Sequence, residues 1–273
     1  RKSSLVTRFA LSMPDTDLAA AWSGINSTQK ASAAAMAFLA VFTLALHLAT
    51  GELADRWQQA VTMAIGRSPV PSPAEAGPTG KREWPEDGTP IWIIDPLDGT
   101  TNYLHGFPQW SISIGLRYRG LMEQAVVYDP LREELFTASR GSGAMLNDRR
   151  IRVSDRRSLE GALIGTGIPF RDQSHLTSYL SMMAAMIRDT AGIRRPGSAA
   201  LDFAYVAAGR LDGFWELHLS PWDFAAGALL VAEAGGTVTD LAGGDRFFET
   251  CNVVAGGLKV HRAMLERLKP FRR

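Results

Sequence analysis

The clearest pattern of apolar and polar positions in this chain is a strand that ends in two acids. Bulky apolar residues at 92–94 predict a buried strand. Pro96 and Gly99 then break the run, because proline lacks an amide donor and glycine favours turns. We therefore expect Asp95 and Asp98 to leave the end of the strand close together. The Thr-Thr-Asn sequence that follows is typical of a turn that opens a helix.

Alternating and short apolar runs predict further strands along the rest of the chain. They lie at 110–118, 124–128, 134–138, 151–153, 162–165 and 213–217. Helical periodicity predicts helices at 176–188, 199–209, 223–234 and 260–268. The segment 141–147 is rich in glycine and is interpreted as a connection. Strands and helices in one chain indicate a mixed α/β fold.

The first part of the chain has a different character. Residues 1–28 are small and polar with little periodicity, and we expect a poorly ordered extension there. A helix is predicted at 28–48 and a shorter one at 55–65, followed by a proline-rich loop at 68–80. The apolar run at 33–46 is shorter than the ~20 residues that a bilayer requires, which favours a buried helix over a membrane span.

Length and composition allow one large domain and argue against several classes of function. The 273 residues are 46% hydrophobic, which suffices for a sizeable core, and we expect residues 29–273 to form a single domain. The net charge of +1 gives no electrostatic signal for nucleic acid or for a membrane surface. Cys251 is the only cysteine, which excludes a disulfide framework and favours a reducing cytoplasm.

The acids at the end of the first strand are candidates for a metal site. Two neighbouring carboxylates repel each other unless a cation or a proton lies between them, and Mg²⁺ prefers carboxylate and carbonyl oxygens. The backbone amides after Gly99 and the hydroxyls of Thr100 and Thr101 could hold a phosphate at the start of a helix. Asp223 begins another predicted helix, so it is either an N-cap or a third carboxylate of the same site.

These strings resemble the inositol monophosphatase family of lithium-sensitive, Mg²⁺-dependent sugar phosphatases. The resemblance rests on D-P-L-D-G-T-T-N at 95–102, W-D at 222–223 and E-A-G-G at 233–236, and it runs from about Glu75 to Leu268. It implies a layered α-β-α-β-α sandwich and a homodimer. It also implies hydrolysis of a small phosphate monoester, such as inositol monophosphate or a related polyol phosphate.

The resemblance further implies roles for individual residues. Asp95, Asp98 and Asp223 match the family's metal-binding carboxylates, and Leu97 matches the position whose backbone carbonyl binds metal. The Thr100 hydroxyl matches the group that helps to orient the attacking water. The substrate-binding positions implied by the resemblance are Gly99, Thr100, Thr101, Gly197, Ser198, Ala199 and Glu216.

Two of these assignments have simpler alternatives. Residues 197–198 also suit a turn with a helix cap, because serine is a common N-cap. Glu216 also suits a solvated acid at the end of a strand. The sequence alone leaves both alternatives open.

The glutamate that activates water in this family has no clear counterpart. The family carries two consecutive glutamates shortly before the D-P-L-D string, whereas this chain has Ala74 followed by Glu75. One register places Ala74 at the ligand position, and a shift by one residue makes Glu75 the ligand. The family's Val-Thr-x-x-Asp element is also missing, because the nearest match at 61–63 lacks the acid. Residues 29–74 are therefore atypical and residues 75–273 are family-like.

Two functions are compatible with these observations. The first is a Mg²⁺-dependent phosphatase with Thr100 and Glu75 as catalytic residues, and Thr101-Asn102 favours the inositol branch of the superfamily. The second is a catalytically impaired scaffold, since bacterial members of the resembled family also bind the transcription machinery. A carboxylate from the loop at 74–75 that reaches the acid pair would favour the enzyme.

Overall fold

The computed structural model describes residues 91–169 and 173–271 of the chain. Outside these ranges lie the predicted segments at 1–28, 28–48, 55–65 and 68–80 and the candidate ligand Glu75. The single domain expected for residues 29–273 stays a prediction.

The first sheet has six antiparallel strands whose spatial order follows the chain. They are β1 (Ile91–Asp98), β2 (Ser111–Tyr118), β3 (Leu121–Asp129), β4 (Glu134–Ser139), β5 (Gly143–Leu146) and β6 (Arg149–Arg150). The strands predicted at 110–118, 124–128 and 134–138 are confirmed as β2, β3 and β4. Each pairs with its neighbour in sequence, so short turns suffice to connect them.

The far end of this sheet differs from the prediction. The predicted connection at 141–147 contains strand β5, and the predicted strand at 151–153 is irregular, because the pairing ends at β6. Asn147 and Asp148 form the two-residue turn between β5 and β6, with φ values of 46° and 64°. Such a left-handed pair matches the twist of a β-hairpin, and an Asn-Asp sequence signals it less strongly than Asn-Gly does.

The second sheet has five strands in the order β10-β11-β9-β7-β8. They are β7 (Leu163–Thr166), β8 (Gly192–Arg194), β9 (Gly213–Glu216), β10 (Thr237–Thr239) and β11 (Val253–Gly256). β7 runs parallel to β8 and β9, whereas β11 is antiparallel to both of its neighbours. The predicted strands at 162–165 and 213–217 are confirmed as β7 and β9. β8, β10 and β11 were not predicted, and each has only three or four residues.

The helices are mostly where periodicity predicts them. They are α1 (Thr100–Leu104), α2 (Leu176–Ile187), α3 (Ala199–Ala207), α4 (Pro221–Glu233), α5 (Phe247–Thr250) and α6 (Leu258–Leu268), with short 3₁₀ turns at Gln173–His175 and Lys269–Phe271. The four long predicted helices are confirmed as α2, α3, α4 and α6. Within the described ranges, none of the helices combines the length and the apolarity that crossing a bilayer requires.

Helices and sheets alternate in layers. α3 and α4 pack against each other between the two sheets, and α2 and α6 cover the opposite face of the second sheet. The period of two along β9 divides its side chains between two cores, since Phe214 faces α3 and α4 whereas Trp215 faces α2 and α6. This is a layered α/β arrangement, as expected, with four of its layers inside the described ranges.

Substitution of Gly227 tests how closely α3 and α4 approach. A Cβ at Gly227 would overlap the Phe203 side chain, so the two helices would have to separate. Helix propensity alone predicts that Gly227→Ala stabilises the fold by about 1 kcal/mol, whereas overpacking costs about 1–3 kcal/mol. We expect the cost of overpacking to exceed the gain in helix propensity, so the free energy of unfolding measured in urea should be lower in Gly227→Ala than in the wild type.

A matched control lies on the exposed side of the same helix. Ala232→Gln enlarges a side chain that faces solvent, and we expect it to change stability by less than about 0.5 kcal/mol. A Gly227→Ala protein more stable than the wild type would contradict the close packing of α3 against α4.

Candidate metal and phosphate site

The structure brings the three predicted metal-binding acids together. One carboxylate oxygen from each of Asp95, Asp98 and Asp223 lies within 4.8 Å of the others. Asp95 and Asp98 are buried near the end of β1, and Asp223 lies in the first turn of α4. The described residues thus contain the all-carboxylate oxygen set that a hard divalent cation prefers.

An irregularity in β1 directs its two acids to one point. Side chains three positions apart in a regular strand point to opposite faces of the sheet. Asp95 pairs with Ser113 and Asp98 pairs with Ser111, so three steps along β1 match two along β2. A bulge of this kind changes the direction of the side chains that follow it. It therefore explains how two acids three positions apart can point to the same place. The sequence suggested that Pro96 ends the strand. In the structure β1 continues through Pro96 to Asp98, and the strand is only distorted there.

The pKa values of Asp95 and Asp98 show that it is unfavourable to keep both carboxylates ionised at this site. Burial raises the pKa of Asp95 well above its ordinary value, and the neighbouring Asp98 and Asp223 raise it further. Burial also raises the pKa of Asp98 to about 6, although hydrogen bonds from Ser198 and Ala200 oppose the rise. Protons or a cation would relieve the repulsion, so this cluster suits a bound metal ion.

Asp223 belongs both to the capping box of α4 and to the acid cluster. Its Oδ2 accepts a hydrogen bond of 2.7 Å from the backbone amide of Ser220, which is the N-cap of α4. A carboxylate has two oxygens with several lone pairs, so capping leaves room for a cation. The interpretation of Asp223 as the N-cap is wrong, because α4 begins at Pro221 and Asp223 is its third residue, in a capping box with Ser220.

The turn after β1, which the sequence predicts to bind phosphate, is closed by hydrogen bonds among its own residues. The Leu97 amide donates to Asp95 Oδ1 at 2.9 Å, and the Thr100 hydroxyl donates to the Leu97 carbonyl at 2.8 Å. Gly99 has φ of 90°, and a Cβ there would lie 2.9 Å from the Gln109 carbonyl oxygen. Thr101 is exposed. The turn therefore places Thr100 and the Leu97 carbonyl in direct contact beside the acids.

The loop at 197–199 meets the acids through Ser198. Ser198 is fully buried, and its hydroxyl donates to Asp98 Oδ2 at 2.5 Å while the Ala200 amide donates at 2.9 Å. Ser198 is the N-cap residue of α3, yet its side chain makes no capping hydrogen bond. The cap interpretation is wrong for the hydroxyl, which supports an acid of the cluster. Gly197 and Ala199 flank it as candidate substrate contacts.

Glu216 is half-buried at the end of β9, rather than solvated. Burial, together with the charges of Asp223 and Asp98, raises its pKa to about 8, although Arg195 acts in the opposite direction. Gly167 provides the space, because a Cβ at that position would overlap the Glu216 carboxylate. The acid is therefore held close to the cluster, where it is mostly protonated at neutral pH without a metal.

Sequence reasoning missed a buried acid behind this site. Asp202 is 1% exposed in α3, and its Oδ1 has no hydrogen-bond partner among the described residues. Burial raises the pKa of Asp202 well above its ordinary value, with Glu216 and Asp98 adding to the rise. The sequence did contain a signal for this buried acid, because Asp202 is the only charged residue in the helix segment at 199–207. The expected contribution of Glu75 falls outside the described residues and stays a prediction.

The chain is similar in sequence and in fold to SuhB proteins and inositol monophosphatases. A model of the inositol monophosphatase family matches residues 54–270. The Nus factor SuhB of Pseudomonas aeruginosa PAO1 is 58% identical over 182 residues, 66% of this chain and 67% of that protein. The crystal structure of extragenic suppressor protein suhB from Bartonella henselae superposes with a TM-score of 0.65 at 50% identity, covering 67% of this chain and 70% of that chain. The inositol monophosphatase of Anabaena sp. PCC 7120 gives 0.64 at 42%, covering 66% and 75% respectively.

The raised pKa of Glu216 makes the stability of the metal-free protein depend on pH. The folded protein keeps a proton to about pH 8, whereas the ordinary pKa is 4.5. This stabilising contribution is complete below the ordinary pKa and is lost as the pH rises through the folded pKa. With a chelator present, we expect the melting temperature to fall as the pH rises from about 4.5 to about 8, the ordinary and folded pKa values of Glu216, and the fall to be smaller in Glu216→Gln.

The control for this comparison is Glu266→Gln, which removes an exposed carboxylate from α6. It should leave the pH dependence of the wild type unchanged. If Glu216→Gln loses as much thermal stability over this pH range as the wild type, the buried proton on Glu216 is refuted.

Proposed function

The chain belongs to the inositol monophosphatase family, and on that premise we propose that it is a Mg²⁺-dependent phosphatase of inositol monophosphate or a related polyol phosphate. The observation that carries the proposal is the convergence of Asp95, Asp98 and Asp223 beside the turn at Gly99 and Thr100. A phosphate monoester is itself an anion and resists attack, so its hydrolysis requires positive charge and precise positioning.

The residues present fit a divalent cation. The carboxylates of Asp95, Asp98 and Asp223 and the carbonyl of Leu97 would hold it, since all are hard oxygen donors. When bound, Mg²⁺ would neutralise phosphate charge, polarise water and stabilise the leaving oxygen. Ser198 and Ala200 orient Asp98 by donating hydrogen bonds to its Oδ2, as outer residues commonly do around metal ligands.

The turn and the neighbouring loop would bind the two ends of the substrate. The backbone amides after Gly99 and the hydroxyls of Thr100 and Thr101 would hold the phosphate oxygens. The Thr100 hydroxyl donates a hydrogen bond to the Leu97 carbonyl, which leaves its oxygen lone pairs to accept a hydrogen bond from the attacking water.

The polyol would lie on the opposite side of the acids. The loop from Gly197 to Ala199 and the Glu216 carboxyl are the candidate contacts for its hydroxyls. The Glu216 carboxyl oxygens can accept hydrogen bonds from hydroxyls of the polyol. We propose Glu75 as the group that accepts the proton of the attacking water, in agreement with one register of its loop.

Asp95→Asn tests the phosphatase proposal. The variant keeps the shape of the side chain and removes one charge of the metal-binding set. We expect Mg²⁺-dependent phosphate release to fall by more than about 100-fold, since even the outer partners of metal ligands are worth about 10–100-fold. The assay measures phosphate release from a panel of inositol and sugar phosphates, with Mg²⁺ titrated and Li⁺ added as an inhibitor.

The matched control is Asp245→Asn, which removes the same charge from an exposed position outside the acid cluster. It should retain the wild-type rate. Turnover by Asp95→Asn at the wild-type rate would refute the mechanism, and a wild type that releases no phosphate from any member of the panel would refute the phosphatase function.

A transcription role is the second candidate, and the name of a close relative favours it. The protein of Pseudomonas aeruginosa that shares 58% identity with this chain is named a Nus factor. Expression of the chain in a bacterium that lacks its own SuhB would show whether it restores ribosomal RNA transcription. Restoration by both the wild type and Asp95→Asn would support a role that does not need catalysis. In either role we propose a homodimer in the cytoplasm.

A further inference from the structure

Asn102 links two segments of the candidate site that are far apart in sequence. It is buried in α1, and its Nδ2 donates to the Gln109 carbonyl at 2.7 Å and to the Pro196 carbonyl at 2.8 Å. An amide nitrogen has two hydrogens, so both donors of the side chain are used. Asn102 and Pro196 are separated by 94 positions, so this contact joins two distant parts of the chain.

One end of the link is the phosphate-binding turn. α1 begins directly after Gly99, whose carbonyl accepts a hydrogen bond of 3.0 Å from Tyr103. The Asn102 carbonyl accepts a further hydrogen bond of 2.8 Å from the Phe107 amide, which closes the segment that follows α1. The backbone of Asn102 is therefore rigidly connected to the turn.

The other end is the loop proposed to contact the polyol. Pro196 directly precedes Gly197, and the next residue, Ser198, donates to Asp98 Oδ2. Gly197 has φ of 90°, and a Cβ there would lie 2.9 Å from Asn102 Nδ2. The loop thus lies directly against the amide, with no space for a side chain between them.

We propose that Asn102 is a positioning residue that holds the polyol-binding loop at Gly197–Ala199 in register with the phosphate-binding turn. The proposal rests on the proposed phosphatase function. The Asn102 amide donates to two backbone carbonyls rather than to the acids. It sets the separation between the groups that bind the phosphate and those that bind the polyol, and small errors in such a separation are costly in catalysis.

The substitution Asn102→Asp tests whether the two hydrogen bonds of the Asn102 amide, and not only the volume of its side chain, position the loop. Aspartate has the same shape, but it turns oxygens toward the two carbonyl oxygens and removes both donors. We expect the KM for inositol monophosphate to rise by at least about tenfold, which corresponds to at least about 1.4 kcal/mol. The KM for p-nitrophenyl phosphate, which has no polyol, should change much less, and the Mg²⁺ concentration for half-maximal rate should stay near the wild-type value.

Asn147→Asp is the matched control. Asn147 also uses its amide to hold a turn, since its Nδ2 donates to the Glu133 carbonyl at 3.1 Å. That turn lies between β5 and β6 and contributes no residue to the candidate site. The control should leave the KM of both substrates unchanged, even if its melting temperature falls.

Hydrogen–deuterium exchange of the peptide at 195–201 provides a readout that needs no activity. In Asn102→Asp the amides of this loop should exchange faster than in the wild type, and Asn147→Asp should match the wild type. A wild type without phosphatase activity would refute the proposed function, whereas this exchange would still decide the positioning role. If Asn102→Asp does not fold, Asn102→Ser, which keeps one donor, replaces it in both measurements. Equal KM changes for the two substrates, or unchanged exchange, would overturn the proposal.

Discussion

Repulsion among closely spaced carboxylates is the constraint on which the candidate site depends. Asp95, Asp98 and Asp223 lie within 4.8 Å of one another, and burial together with mutual repulsion raises the pKa of Asp95. Groups of this kind are stable only with protons or a cation among them. A fold that holds them together without such compensation loses free energy, so acid clusters of this kind are typical of functional sites.

Three separate elements hold the acids in place. The bulge in β1 turns Asp95 and Asp98 toward one point. The cap of α4 directs Asp223 toward the same place, because α4 packs across the first sheet. The start of α3 supplies Ser198 and the next amides as donors to Asp98. Metal affinity would therefore depend on the packing of α3 and α4 between the sheets as well as on the acids themselves.

The two proposed functions depend on different observations. The proposed catalysis rests on the acid cluster, which could hold a cation, and on the turn at Gly99, which is proposed to hold the phosphate. The transcription role is supported by the name of a relative that shares 58% identity, and no feature of the acid cluster bears on it. Neither proposed function explains Asp202. It places a buried carboxylate in α3, whose other residues are mostly apolar.

The sequence by itself determined the acid pair, the turn after it and the longer helices and strands. Each of these depends on neighbouring residues, such as the apolar run, Pro96 and Gly99, so a local pattern suffices to reveal it. Only the tertiary structure decided that the Ser198 hydroxyl binds Asp98 instead of capping α3, and that Glu216 is half-buried. The partner of a hydroxyl or a carboxylate depends on which distant segment packs against it, and a single sequence does not specify that packing.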